Sequence, residues 1–484
     1  MNQGVGSQAV KLTISKLITQ AISLLTTMLL SHYRTLEEYG TYSQMLLVIN
    51  LVTTIFMVGL PNSINYFLAK TDSVGEKQKF ISVYYTLSTL LSILAGLILV
   101  LSTPLIVNYF NNELIRGFWY VLAFFPWTAI IMSSIDNMLI VFGKVNWLMV
   151  YKIVNSLFIL FSVWISQLFE LSFKTYLWIY IIGQMFFTLS VYVMTYVVSK
   201  SIRFLINISL IKSVLIFTVP LALANVMGVL TAEIDKFVVS LYYSTEQVAI
   251  FTNAAREMPV SIVAASLTAI LLPQLTRYLQ QREYSRAVGL WGDSIIISYG
   301  FIAIIVFGLI AFAPDVMSFL YSDKYLSGVN VFRVYSVILL FRCTYFGMLL
   351  NAIGKTRFIF WSSLITLILD FLLNILFIMV FGFIGPAFST LFATAVSAWL
   401  TLLVSARTIK FSLRDIFPWI DIIKITVVNV AFCIFFMIIK QKLNLDLFLT
   451  SLGESMLLGT FWCAIYLLIF FKKFKGKWKS INNV

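Results

Sequence analysis

The chain has 484 residues, 60% of them hydrophobic and only 11% charged, with a mean hydropathy of +0.95 and a formal net charge of +14. That balance lies far outside the soluble globular range and excludes a water-soluble domain. Apolar runs of about 20 residues, long enough to cross the hydrocarbon core as a helix, recur along almost the whole length, which excludes a singly anchored protein.

Stretches such as 87–101 (LSTLLSILAGLILVL) and 301–312 (FIAIIVFGLIAF) are apolar on every face. Strands of a transmembrane barrel would alternate apolar and polar residues, so the expected fold is all-α. The runs and the polar breaks between them predict fourteen transmembrane helices, near 9–31, 40–66, 80–103, 117–142, 147–167, 175–198, 212–241, 248–272, 287–313, 327–352, 358–380, 383–405, 418–440 and 450–471. The first carries Lys16 and has no small-residue cleavage site, so it reads as a retained span. Cys343, Cys433 and Cys463 fall in apolar runs, and the one histidine, His32, has no cysteine or carboxylate at ligand spacing. Neither a disulfide framework nor a metal site is supported, and no cofactor is expected.

The placement of charge reports topology, not a nucleic-acid partner. With the N-terminus inside, 21 Lys and Arg fall in cytoplasmic segments, ending in the basic tail 472–484, against six outside: Arg34, Arg116, Lys174, Lys324, Lys440 and Lys442. The bias puts both termini in the cytoplasm. Seven basic residues remain within spans: Lys16, Lys152, Lys236, Arg256, Arg333, Arg342 and Lys424.

Four landmarks recur in order. EEYGTY (37–42) matches EQVAIF (246–251), STPLIVNYF (102–110) matches FAPDVMSFL (312–320), FGKVNW (142–147) matches IGKTRF (353–358), and Leu60-Pro61-Asn62 matches Leu272-Pro273-Gln274. Their offsets run only from 209 to 212 residues, which argues for an internal duplication. The expected domains are a six-helix half over 1–208, a second over 209–417, and two added helices over 418–471. An even number of spans per half makes the halves parallel, related by a pseudo-twofold axis along the membrane normal. In such transporters the substrate site lies between the halves and access alternates across the membrane. Pro61 and Pro273 are expected to remove a backbone hydrogen bond at the ends of spans two and eight, with Asn62 and Asn65 satisfying freed groups in the first.

An ionisable side chain at the bilayer centre costs about 2.5 kcal/mol or more, so it is expected to face a cavity or a partner. Lys16, Gln20, Ser23 and Thr27 recur at helical spacing and form one polar stripe on the first span. Its repeat partner carries Asn225 and Lys236, with Glu233 and Asp235 beside them, and a Lys236–Glu233 pair is the plainer reading. Arg256 follows Asn253 and precedes Glu257 and Pro259, so neutralisation by Glu257 is weighed against the roughly 100° between adjacent residues. Ser363, Thr366, Asp370 and Asn374 make the tightest stripe, open either to helix packing or to a wet face; Lys152, Asn155 and Ser156 lie on the corresponding earlier span. Arg333 and Arg342 fall on opposite faces of one span, and Asp136 lies near a membrane boundary.

The GKT at 354–356 is not a phosphate-binding loop, because Leu349 stands where that loop needs glycine and an apolar span precedes it in place of a strand. No nucleophile–base pair or redox cysteine pair stands out, and loops of roughly 5–15 residues leave no soluble domain for catalysis. The protein is not expected to be an enzyme.

The first half with EEYGTYSQMLLVIN and GLPNSINYFLAK, followed by AEIDKFVVSLYYSTEQVAIFTNAAREMP and LLPQLTRY, resembles the polysaccharide-biosynthesis flippases. These are the Wzx-type members of the multidrug/oligosaccharidyl-lipid/polysaccharide exporter superfamily. The resemblance covers twelve helices, and the extra pair agrees with the fourteen typical of that branch. It implies translocation of an undecaprenyl-pyrophosphate-linked glycan repeat unit from the inner to the outer leaflet of a bacterial cytoplasmic membrane. It also implies a basic cavity, for which Lys16, Lys152, Arg256 and Arg342 occupy suitable helices. Gln20, Asn50 and Asn225 would meet sugar hydroxyls, membrane lipid would hold the tail, and a polysaccharide polymerase and assembly proteins would be partners. Asp370, Glu233 and Asp235 are candidates for exchanging H+ or Na+. The alternative is a multidrug exporter of organic cations by proton or sodium antiport, whose cavity should be acidic.

Overall fold

The computed structural model describes residues 5–71, 73–443 and 450–482, and every regular element among them is helical. The order is α1 (Val5–Tyr33), α2 (Leu36–Met57), α3 (Leu60–Lys70), α4 (Val74–Leu101), α5 (Thr103–Phe110), α6 (Trp119–Met132), α7 (Ile135–Val141), α8 (Val145–Leu168), α9 (Phe173–Ser199) and α10 (Ile208–Tyr242). There follow α11 (Thr245–Ala254), α12 (Ile262–Gln280), α13 (Tyr284–Ala311), α14 (Ala313–Tyr321), α15 (Val329–Ile338), α16 (Met348–Ala352), α17 (Thr356–Phe381), α18 (Gly385–Ile409), α19 (Leu413–Ile416), α20 (Trp419–Leu443) and α21 (Ser451–Asn482). Among the described residues twelve helical stretches are long and apolar enough to cross a membrane, and thirteen if the pair Thr245–Thr268 and Ile270–Gln280, bent by 41°, forms one span. One of the twelve, Arg357–Ile409, contains both α17 and α18. The chain is a multi-pass membrane protein. Helices are the form that lets such segments satisfy every backbone N–H and C=O without water.

The chain divides into two compact units, Met1–Ala249 and Ile250–Val484. In the first, α3, α4, α7 and α8 share a core around Leu60, Ile64, Tyr84, Tyr85, Met138 and Leu148. In the second, Trp291, Ile295, Ile302 and Val306 make α13 the central stave, and α20 and α21 pack against it through Ile425, Phe436, Trp462 and Tyr466. Gly300 is the notch that lets α21 approach: Tyr466 Oη donates to its carbonyl at 2.8 Å, and a Cβ there would lie 2.2 Å from the Phe474 ring. The basic stretch after 471 continues α21 as helix to Asn482, with Lys473 paired to Asp421 and Lys477 to Asp293 at 2.7 Å.

The other end of this hairpin is fastened by Asp315 of α14. Its carboxylate accepts from Lys440, from Ser451 at 2.5 Å and from Ser455 at 2.8 Å, and its side chain is 10% exposed. Burial pushes this carboxyl up, but the Lys440 and serine donors outweigh it and hold it below the usual carboxylate range. A carboxyl lowered on folding adds stability that is present above its unfolded value and is lost as pH falls through the folded one. Asp315→Asn is therefore expected to remove about 1–3 kcal/mol near neutral pH. It should also flatten the acid limb of a thermal-stability profile recorded on the detergent-solubilised protein.

Local structures recur at the matched sequence landmarks. A capping box joins Thr35 and Glu38 before α2, and Ser244 and Gln247 form the same reciprocal pair before α11, 209 residues on. The run of long helix, short proline-led helix and 3₁₀ turn in α4, α5 and Glu113–Phe118 returns in α13, α14 and Asp323–Gly328, each element displaced by 210 residues. Gly143 and Gly354 take φ of 68° and 75°, and the following lysines donate to Leu139 O at 2.7 Å and Leu350 O at 2.9 Å. Both Gly-Lys pairs are helix-ending turns in which the lysine N–H reaches back five residues and glycine supplies the left-handed conformation. Lys200 and Lys410, both at φ 59°, end α9 and α18 alike.

The prolines depart from expectation. The second span breaks at Val58 and Gly59, both left-handed, and Pro61 stands at the start of α3, where its missing N–H costs nothing. The Pro61 carbonyl is met by Asn137 Nδ2 at 2.8 Å, and Asn65 reaches it only through Asn137, at 3.1 Å. Pro273 lies inside α12, not at a helix end.

Candidate functional site

Two adjacent breaks in the second unit place charge within candidate membrane spans. α11 stops at Ala254, residues 255–258 are unwound, and a 3₁₀ turn, Pro259–Ser261, leads into α12. Pro259 is the local cause: it disfavours helix at the preceding residue, and Met258 takes φ −69° and ψ 145°. In the neighbouring span α15 runs into the 3₁₀ turn Leu339–Cys343, and Thr344 is extended before α16 begins. Trp291 Nε1 donates to Thr344 Oγ1 at 2.9 Å and pins that break to α13.

Arg342 in one break meets Glu257 in the other. Its Nη2 donates to Glu257 Oε1 at 2.7 Å and its Nε to Oε2 at 3.3 Å, a fork-on-fork pair. Glu257 is thus engaged by Arg342 and does not neutralise its neighbour Arg256 by itself. The two side chains are 48% and 36% exposed. Unwound backbone and half-exposed charge within a span are tolerated only where they border protein or a water-filled cavity. Two of the five guanidinium N–H groups are used, leaving the outer edge of Arg342 able to take an anion. Half-buried Arg256 lies beside Glu257 in the same unwound segment. Arg333 is turned elsewhere, donating to Ile310 O at 3.3 Å and Asn330 Oδ1 at 3.2 Å.

In the first unit the candidates are dispersed. Lys16 on α1, Asn50 on α2 and Asn225 on α10 are exposed, and no hydrogen bond among the described residues joins them. The α1 stripe is open at Lys16 and Ser23, half-open at Gln20 and buried at Thr27. Gln20 Oε1 is buried with no hydrogen-bond partner among the described residues. Lys152 pairs with Asp136 at 2.6 Å.

The acidic candidates separate. Glu233 and Lys236 form an ion pair at 2.6 Å, so the plainer reading of that helix holds. Asp235 is buried and accepts from Lys236 N at 2.8 Å. Asp370, 1% exposed, accepts on Oδ1 from Ser389 Oγ at 2.7 Å and Asn374 Nδ2 at 3.1 Å. With Thr366 and Asn374 also buried, this stripe faces α18, apart from Ser363, which is exposed. The contacts 370 to 389 and 362 to 401 run antiparallel and make α17 and α18 a hairpin.

The overall fold is shared with membrane transporters of known structure. The structure is similar to the lipid II flippase MurJ in an inward closed conformation, with a TM-score of 0.73, 18% identity, and coverage of 95% of this chain and 98% of that one. It is also similar to a multidrug resistance MATE family transporter in an inward-facing conformation, with a TM-score of 0.67, 16% identity, and coverage of 83% and 98%. The polysaccharide biosynthesis protein family matches residues 29–330, and the chain belongs to that family. A curated relative, described as a probable low-salt glycan biosynthesis flippase, Agl15 of Haloferax volcanii, is 20% identical over 221 residues. The match spans 43% of this chain and 45% of that protein, less than half the length of either.

Proposed function

We propose that the protein is a lipid-linked oligosaccharide flippase that carries an undecaprenyl-pyrophosphate-linked glycan repeat unit from the inner to the outer leaflet of a bacterial cytoplasmic membrane by alternating access. The observation that carries this reading is the pair of helix breaks that place Arg256 and Arg342 within candidate membrane spans. A diphosphate drawn toward mid-membrane loses hydration, and guanidinium and ammonium groups in a confined site replace part of it. Lys16, Lys152, Gln20, Asn50 and Asn225 are the further cavity candidates. Family membership and the flippases among the similar proteins support the same class. In this reading the six-helix halves, 1–208 and 209–417, descend from one duplicated unit, both termini are cytoplasmic, and a polymerase receives the product. The test is translocation of a fluorescent lipid-linked oligosaccharide in reconstituted vesicles; protection of the label that does not depend on the protein would sink the proposal.

Coupling to H+ or Na+ through Asp370 is a further part of the proposal. Its carboxyl has only neutral partners on α17 and α18, so gain or loss of one cation changes the local charge outright. Asp370→Asn, which keeps the shape, is expected to leave the fold intact and to abolish the dependence of transport on the proton or sodium gradient. Unchanged gradient dependence in the variant would remove Asp370 from the mechanism. Export of organic cations remains the second reading, favoured by the likeness to a multidrug transporter. The neutralisation of Glu233 by Lys236 weakens it, since one of its acidic groups is already taken.

A further inference from the structure

We infer that Glu257 is an internal counter-anion that sets the selectivity of Arg342 for a diphosphate over smaller anions. This rests on the flippase reading. The carboxylate occupies the fork of Arg342 with the same two-oxygen geometry that a phosphate would use, at 2.7 and 3.3 Å. An incoming anion must therefore displace Glu257 or bind the outer edge of the guanidinium beside it. Orthophosphate offers one phosphoryl group. Pyrophosphate offers two, so it can take the outer N–H groups with one and compete for the fork with the other. Each residue sits in an unwound or 3₁₀ segment, not in a continuous helix, so exchange of partners needs no rupture of an α-helical ladder. Half exposure of both side chains leaves the pair within reach of a ligand in water. Glu257 is thus a positioning residue that acts through Arg342.

Binding of inorganic pyrophosphate and of orthophosphate to the purified full-length protein, by titration calorimetry at fixed salt, tests this. Glu257→Gln is expected to tighten orthophosphate binding by about fivefold, the scale of a half-exposed ion pair, and to narrow the pyrophosphate-to-orthophosphate ratio. Glu257→Asp is expected to keep the wild-type ratio. In an Arg342→Gln background, Glu257→Gln should have no such effect. Equal anion affinities for wild type and Glu257→Gln, or an effect that persists without Arg342, would overturn the inference while leaving the flippase reading in place. The flippase reading fails separately if vesicle translocation of the lipid-linked glycan survives loss of both Arg256 and Arg342. Melting curves for every variant separate loss of fold from loss of selectivity.

Discussion

Replacing Lys16 and Arg256 together by glutamine is expected to reduce lipid-linked glycan translocation, and with it surface polymer, by at least about tenfold. A charge-assisted hydrogen bond to a phosphate contributes about 1.5–3 kcal/mol where water is scarce, and glutamine keeps the reach of each side chain while removing its charge. Lys16 is exposed and has no hydrogen-bonded or ionic partner among the described residues, so its loss strands no acceptor. Arg256 lies half-buried in the unwound segment after α11. Membrane abundance and melting curves of the double variant, measured alongside, separate loss of fold from loss of transport. Lysine at position 256 should restore part of the activity. Full surface polymer at normal abundance in the glutamine double variant would count decisively against a basic substrate site.

A second large effect is expected at glycines where two backbones touch. A Cβ at Gly96 of α4 would fall 2.2 Å from the Ala123 carbonyl oxygen on α6, and one at Gly385 would fall 2.1 Å from Phe377 O across the α17–α18 hairpin. Backbone oxygens cannot rotate aside as a side-chain tip can, so the helices themselves must separate. Close approach through small residues is a main source of helix association in lipid, where no hydrophobic drive brings helices together. Gly96→Val and Gly385→Val should each cost about 3 kcal/mol and shift the protein toward aggregates in size-exclusion profiles. Gly292→Ala on α13 has nothing within 4 Å of the new carbon and is the matched control, expected to elute as wild type. Unchanged Tm in the valine variants would show that these contacts are looser than the geometry indicates.

The all-helical fold was legible because lipid admits few alternatives: long apolar runs must be helical, and the described residues hold twelve or thirteen candidate spans against the fourteen expected. The matched Gly-Lys landmarks were legible as turns, because Gly143 and Gly354 both take the left-handed conformation that glycine permits. The breaks were harder to place. Pro61 and Pro273 are equivalent in sequence, yet one starts a helix and the other sits inside one. A proline reports a lost N–H but not whether the neighbouring carbonyl finds another donor, and Asn137, the donor at Pro61, lies 76 residues away. Pro259 did carry a usable signal for the unwound segment. The pairing of Glu257 with Arg342, 85 residues apart, carried none, because periodicity relates residues on one helix only. The Asp370 stripe illustrates the same limit: spacing showed a polar face, and only the packing of α18 showed that Ser389 covers it.

The unwound segment 255–258 has a continuous helix as its match in the first unit. Counted back by 209 residues it corresponds to 46–49, which lie within the unbroken α2. An intact α-helix is a stiff rod that carries torsion from end to end, so rotation imposed at the Thr35 cap is delivered at Met57. Four residues outside the hydrogen-bonded ladder act as a swivel. Twist applied at the Ser244 cap is dissipated before Ile262, and α11 and α12 can turn by different amounts about their own axes. Where α2 is a continuous stave, Pro259 gives the stretch from α11 to α12 a joint.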